Sequence, residues 1–131
     1  MMMKSTIAAV LMFSLLTLTS CSNNGPQISD AINARGTLFA KIIGAVEKDP
    51  TVSGMADGRK IFDSEKAAAK AKWDAAKGLK LSDKERSQLT GEQSDEFQST
   101  LSFQKKHPME GTEREQFLKL IDDFNTAFTL N

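Results

Sequence analysis

The apolar residues of this chain recur at helical spacing in four stretches, and this pattern constrains the fold more than any other feature of the sequence. The clearest stretch follows Thr112 and Glu115, which have the spacing of a reciprocal capping box at a helix start. The apolar residues after it share one side of a helix with about 3.6 residues per turn. They are Phe117, Leu120, Ile121, Phe124, Ala127 and Phe128. We therefore predict a carboxy-terminal helix whose phenylalanines pack in a protein core rather than around a ligand.

Two long amphipathic helices are predicted in the first half of the chain. The stretch from Ile28 to Lys48 forms one apolar stripe and is ended by an Asp-Pro pair. Its members are Ile28, Ile32, Phe39, Ile42, Ile43 and Val46. The stretch from Met55 to Leu79 is rich in Ala and Lys, and its apolar face consists of Phe62, Ala69, Trp73 and Ala76. Acids such as Asp74 alternate with its lysines, which favours a solvated face over a basic patch.

The stretch between Ser82 and His107 is less amphipathic. Capping-box signals that begin at Ser82 and Thr90 predict a short helix near residues 83–89 and a longer one from Gly91 to Lys106. The longer helix offers few large apolar residues, namely Phe97, Leu101 and Phe103. Weak amphipathicity is typical of an edge helix, or of a face that is buried only when a partner binds. Phe97 and Phe103 are therefore candidate partner-binding residues.

Arg35 falls within the apolar stripe of the first predicted helix rather than opposite it. Its stem could lie along the core while the guanidinium reaches water or an acid on a neighbouring helix. Alternatively, Arg35 could be a cation that binds a ligand or a partner. The sequence leaves both interpretations open.

Composition and motifs argue against several classes of function. With 131 residues, of which 40% are hydrophobic and 26% charged, the chain fits one globular domain. Seventeen basic and seventeen acidic residues cancel, so we expect no nucleic-acid partner. The single His and single Cys offer no nucleophile with its base and no zinc-ligand spacing, and no P-loop is present. We predict a protein that is not an enzyme, with no cofactor and no metal site; the sequence identifies no small-molecule ligand.

The amino-terminal residues have the anatomy of an export signal. Lys4 precedes an apolar run from Ile7 to Leu18, and small polar residues then lead to Cys21. This run is shorter than the roughly 20 apolar residues that a membrane-spanning helix needs.

Residues Leu18-Thr19-Ser20-Cys21 resemble the lipobox of bacterial lipoproteins, in which a branched apolar residue and two small residues precede a cysteine. The resemblance covers only the first 21 residues. It implies cleavage between Ser20 and Cys21, a diacylglyceryl group on the sulfur and an acyl chain such as palmitate on the new amino group. The alternative is a free thiol after a signal that is not cleaved, or is cleaved elsewhere. Ser22 takes the place of the Asp that favours inner-membrane retention in Gram-negative members, which implies the periplasmic face of the outer membrane. In a host with a single membrane, the domain would face the outside of the cell.

These patterns predict a signal peptide at 1–20, a lipidated amino terminus and tether at 21–27, and a helical domain at 28–131. The tether contains Gly25-Pro26, which we expect to remain outside the first helix. We expect the domain to be a small, all-α, four-helix up-and-down bundle. Its expected function is that of a non-catalytic interaction or accessory module for an envelope protein. The alternative is an immunity or exclusion lipoprotein that binds a toxin or phage protein. A deep pocket that gathers Arg35 with several acids would instead favour an enzyme.

Overall fold

The computed structural model describes residues 24–130, which form an all-α four-helix bundle as the sequence predicts. The helices are α1 (Gly25–Lys48), α2 (Val52–Lys77), α3 (Asp83–Lys106) and α4 (Gly111–Ala127). Within these residues no helix combines the length and the apolar character that a membrane-spanning segment requires. The predicted cleavage and lipidation at Ser20 and Cys21 lie outside the described residues.

Short links reverse the chain between successive helices, but α3 packs beside α1 rather than beside α2. The closest pairings join α1 with α2, α1 with α3, and α2 with α4. The amino-terminal ends of α1 and α3 meet, since the backbone N–H of Asn24 donates to Glu85 Oε2 at 3.2 Å. At the other end of the chain, the indole Nε1 of Trp73 on α2 donates to the carbonyl oxygen of Thr129, just past α4, at 2.9 Å. This arrangement leaves α3 and α4 as neighbours on the remaining side of the bundle.

The core lies between the four apolar faces. Its largest fully buried apolar side chains are Trp73, Phe117, Phe124, Phe128, Leu38, Ile42, Leu89, Leu120 and Val46. Aromatic rings join the helices, as where Phe39 meets Phe124 edge to face with ring centroids 5.3 Å apart. The predictions that Trp73 and the carboxy-terminal phenylalanines belong to the core are confirmed. Burial on this scale supplies most of the folding free energy of a domain without a disulfide.

The first helix begins earlier than the sequence predicts. It starts at Gly25 with Pro26 in its first turn, so the predicted tether at 21–27 contains the first turn of α1. Proline is compatible with this position because its fixed φ is helical and the first N–H groups of a helix have no intrahelical acceptor. The punctuation at Gly25-Pro26 therefore marks a helix start rather than a segment outside the helix.

Two capping predictions for the second half of the chain are wrong, and one is confirmed. The Ser82–Glu85 capping box is present. From there α3 runs unbroken to Lys106, and the hydroxyl of Thr90 donates to the carbonyl oxygen of Arg86 at 3.0 Å instead of capping a new helix. α4 begins at Gly111, where φ is 58°, a left-handed conformation that glycine adopts readily. The chain is consequently already helical at Thr112.

One glycine allows a close backbone approach at the α1–α2 link. A Cβ atom on Gly54, in the first turn of α2, would overlap the carbonyl oxygen of Asp49. Only glycine fits there without a shift of the backbone, whereas a Cβ on the exposed Gly44 of α1 would meet no atom within 4 Å.

Candidate functional site

A buried ion pair joins α1 to α3. Arg35 is 0% exposed and Glu96 is 5% exposed. The guanidinium Nε donates to Glu96 Oε1 at 2.9 Å and to Oε2 at 3.0 Å, and Nη2 lies 2.7 Å from Oε1. Arg35 therefore pairs with an acid on a neighbouring helix, one of the two roles that its place in the apolar stripe left open.

The remaining surface of the guanidinium is also covered by protein. Its Nη1 donates to the carbonyl oxygen of Phe128 at 2.6 Å. Its central carbon lies 4.5 Å from the ring centroid of Trp73, within the range of cation–π attraction. Phe124 and Phe128 flank it at 5.5 and 5.6 Å. Arg35 thus connects all four helices, and no part of it is accessible to a ligand or a partner.

The carboxyl group of Glu96 has an unusual electrostatic environment. Burial raises its pKa from the ordinary 4.5 to about 7, because the ionised form loses its hydration. The hydrogen bonds and the charge of Arg35 oppose this rise in pKa, while the carboxyl group of Glu92, one turn earlier on α3, adds to it. The Glu96 carboxyl therefore titrates near neutral pH.

A cleft of about 250 Å³ lies between α3 and α4, and we call it the α3–α4 groove. Phe39 of α1 and Ile121 of α4 supply buried apolar surface at its base. The other lining residues come from α3 and α4: Gln93, Glu96, Phe97, Thr100, Leu101, Gln104, Leu118, Asp122 and Asn125. The groove exists because α3 packs mainly on α1 and α4 mainly on α2, so the two helices do not close the bundle tightly against each other.

Three of the four large hydrophobic side chains that are exposed among residues 24–130 lie at this groove. The four exposed side chains are Phe97 at 60%, Leu101 at 46%, Leu118 at 39% and Val52 at 41%. All except Val52 line the groove. Exposed apolar residues scattered singly are ordinary, but a contiguous set on facing helices is typical of an interaction surface.

The two phenylalanines of α3 predicted to bind a partner have different environments. Phe97 lies in the groove and is exposed. Phe103 is only 4% exposed and stacks on Phe117, with ring centroids 5.2 Å apart. Phe103 is therefore a core residue, and its assignment as a partner-binding residue is corrected, as is a direct contact role for Arg35.

Sequence reasoning missed Glu96 and Leu118. Glu96 shares a face of α3 with the buried Leu89 and Phe103, at a spacing of seven residues from each, and this heptad spacing was the available signal. Leu118 lies on the flank of α4, beside its buried apolar stripe, and is 39% exposed. No pattern in the sequence shows that this flank faces α3.

The groove offers apolar contacts, amides and carboxylates to a ligand. Among residues 24–130, no group of three or more His, Cys, Asp or Glu side chains is placed to hold a metal ion. Glu96 and Asp122 line the groove, whereas the Arg35 guanidinium lies behind Glu96 in the core.

Comparisons with known proteins found no significant similarity: no family model, no curated protein and no solved structure matches the chain.

Proposed function

We propose that this chain is a lipid-anchored cell-envelope protein that binds a partner at the periplasmic face of the outer membrane and has no catalytic role. The observation that carries the proposal is the cluster of exposed apolar side chains at the α3–α4 groove, formed by Phe97, Leu101 and Leu118. The lipobox-like residues before Cys21 support its location.

The groove is suited to binding because both of its walls are held in place before a partner arrives. The ion pair of Arg35 with Glu96 fixes α3 on α1, and Arg35 also holds the carbonyl oxygen of Phe128 beyond the end of α4. The exposed parts of the three apolar side chains correspond to roughly 3 kcal/mol of favourable burial. A preformed surface retains more of this free energy, since little conformational entropy is lost on binding.

The proposed anchor would keep the groove close to a membrane. Two acyl chains are sufficient for stable attachment, because each buried methylene contributes about 0.8 kcal/mol. Asn24, the first described residue, lies three positions after Cys21. At roughly 3.3 to 3.6 Å per extended residue, the bundle would lie within about 10 Å of the lipidated cysteine.

The location is tested by comparing the wild-type chain with Cys21→Ala in fractionated cells. We expect the wild-type protein in the outer-membrane fraction, with a mass that corresponds to a lipidated Cys21 at the amino terminus. Cys21→Ala should lose this mass and the membrane association. An unmodified cysteine at position 21, or a wild-type protein in the soluble fraction, would contradict the proposal.

Partner binding is tested by cross-linking in intact cells, followed by purification of the chain. We expect a defined envelope protein to copurify with the wild type and with Val52→Ser, and to be lost with Leu101→Ser. Val52 is a matched control because it is similarly exposed but lies outside the groove. Recovery of only lipid and abundant porins would count against the proposal, and recovery of a toxin or phage protein would favour an immunity or exclusion role.

A further inference from the structure

The α3–α4 groove is acidic as well as apolar. Asp122 of α4 presents an exposed carboxylate to the groove, whereas Glu96 of α3 is 5% exposed and its charge is paired with Arg35. No Lys, Arg or His lines the groove, although the chain contains 17 lysines and arginines. Asp122 is exposed, and the structure records no ion pair for it. An occupant that carries a cation would therefore complement the charge of the groove.

The dimensions of the groove suit side chains presented by a helix. Its α3 wall extends from Gln93 to Gln104, and its α4 wall from Leu118 to Asn125. At about 1.5 Å of rise per residue, the longer wall spans roughly 16 Å, or three helical turns. A volume of about 250 Å³ accommodates a few side chains. Both walls are α-helices whose backbone groups are hydrogen-bonded within the helix, so an added β-strand would find no partners there.

Two other occupants fit the lining less well. An acyl chain would cover Asp122 with hydrocarbon and leave its carboxylate oxygens with less hydration and no new hydrogen bond, which is unfavourable. A second copy of this chain, docked through the same groove about a two-fold axis, would enclose both copies of Asp122 in an interface whose lining contains no Lys, Arg or His. Two carboxylates without a counter-charge oppose such a dimer.

We propose that the α3–α4 groove binds an amphipathic helix of a partner protein, with apolar anchors against Phe97, Leu101 and Leu118 and a Lys or Arg against Asp122. This assignment rests on the proposed function and specifies the chemistry of its partner. The apolar anchors supply most of the affinity, and the cation selects among apolar helices and fixes their register.

The charge preference is tested with two labelled synthetic helices and the full chain in lipid nanodiscs. Both peptides carry leucines at spacings of three and four residues, and they differ only in a flanking Lys or Glu. Fluorescence anisotropy should show that the Lys peptide binds about two- to fivefold more tightly, the range expected for a partly exposed ion pair. Asp122→Asn should reduce this preference, Leu101→Ser should weaken both peptides, and Val52→Ser should match the wild type. Equal affinities for the two peptides, no binding, or binding that is insensitive to Leu101→Ser would overturn the assignment.

The occupant in cells is tested with a photo-reactive amino acid in place of Leu101, with the same replacement at Val52 as the control. Mass spectrometry should identify the cross-linked segment of a partner as an amphipathic helix that contains a Lys or Arg. A cross-link from position 101 to lipid, to residues 1–23 of this chain, to a second copy, or to an acidic segment would overturn the assignment.

The two proposals can fail separately. If Cys21 is not lipidated but the Lys peptide binds, the envelope location fails and the groove assignment stands. If the lipidated chain contacts its partner through another surface, the assignment of the groove fails instead.

Discussion

Removing one member of the buried Arg35–Glu96 pair should destabilise the fold far more than removing both. Glu96→Leu leaves a buried guanidinium without its counter-charge, and Arg35→Met leaves a buried carboxylate. Each change should lower the free energy of unfolding by about 3 to 5 kcal/mol. The double variant loses both charges together. Its main cost is the lost hydrogen bond from Arg35 Nη1 to the carbonyl oxygen of Phe128. Leaving that buried group unpaired costs about 1 to 3 kcal/mol. The double change should therefore be at least about 3 kcal/mol less harmful than the sum of the single changes.

Urea unfolding followed by far-ultraviolet circular dichroism at pH 8.5, where Glu96 is ionised, measures these differences. The control cycle uses Arg59→Met and Asp123→Leu, whose ion pair is 2.9 Å long but about one-third exposed on each side. Its coupling should be below about 1 kcal/mol, because exposed pairs contribute little. If a single variant of the buried pair does not fold, recovery of the fold in the double variant also supports the reasoning. Additive losses, or single changes that cost less than about 1 kcal/mol, would refute it.

Three further measurements test the core, the electrostatics and the backbone. Because the folded chain raises the pKa of Glu96 from 4.5 to about 7, folding favours its protonated form; stability should fall by about 3 kcal/mol between pH 4.5 and pH 7 in urea titrations, and Glu96→Gln should remove this decline. Phe124→Ala should lower the free energy of unfolding by about 3 to 5 kcal/mol, because Phe124 is fully buried. Leu118→Ala, on the exposed wall of the groove, should lower it by less than about 1 kcal/mol. Equal losses in the two variants would contradict the assigned burial. Gly54→Ala should lower stability by about 1 to 3 kcal/mol, because the new Cβ overlaps the backbone carbonyl of Asp49. Gly44→Ala should raise stability by about 0.5 to 1 kcal/mol, because its Cβ meets no atom and alanine is the better helix former. A thermal melt in which both variants are stabilised would contradict that geometry.

Helix content was predictable because the stripes of α1, α2 and α4 are strongly periodic. Phe117, Phe124 and Phe128 recur at spacings of seven and four residues, which a helix brings to one face, and all three are buried. Helix ends were less predictable, because the same residue can have two roles. A proline can end a preceding helix, and it can also occupy the first turn of a new one. Pro26 has the second role.

The α3–α4 groove could be predicted only in part. The weak stripe of α3 indicated incomplete burial, and Phe97 is indeed exposed. The helix neighbours were not predictable, since the short link from Gly78 to Ser82 is compatible with α3 beside either α1 or α2. The role of Leu118 depends on that choice, because α3 beside α1 leaves the α3–α4 groove along this flank of α4. Glu96 was missed because acidic residues are rarely fully buried unless paired, and its partner Arg35 is 61 residues away in sequence.

The position of Trp73 provides this protein with an internal optical reporter. It is the only tryptophan, and the chain contains no tyrosine, so excitation near 295 nm addresses a single indole. That indole is fully buried, lies 4.5 Å from the Arg35 guanidinium and donates to the Thr129 carbonyl oxygen beyond α4. Its emission spectrum is therefore sensitive to the field of the charge beside it and to fraying of the last residues of the chain. Loosening of the bundle around Arg35 can be followed by intrinsic fluorescence, without a dye or an engineered label.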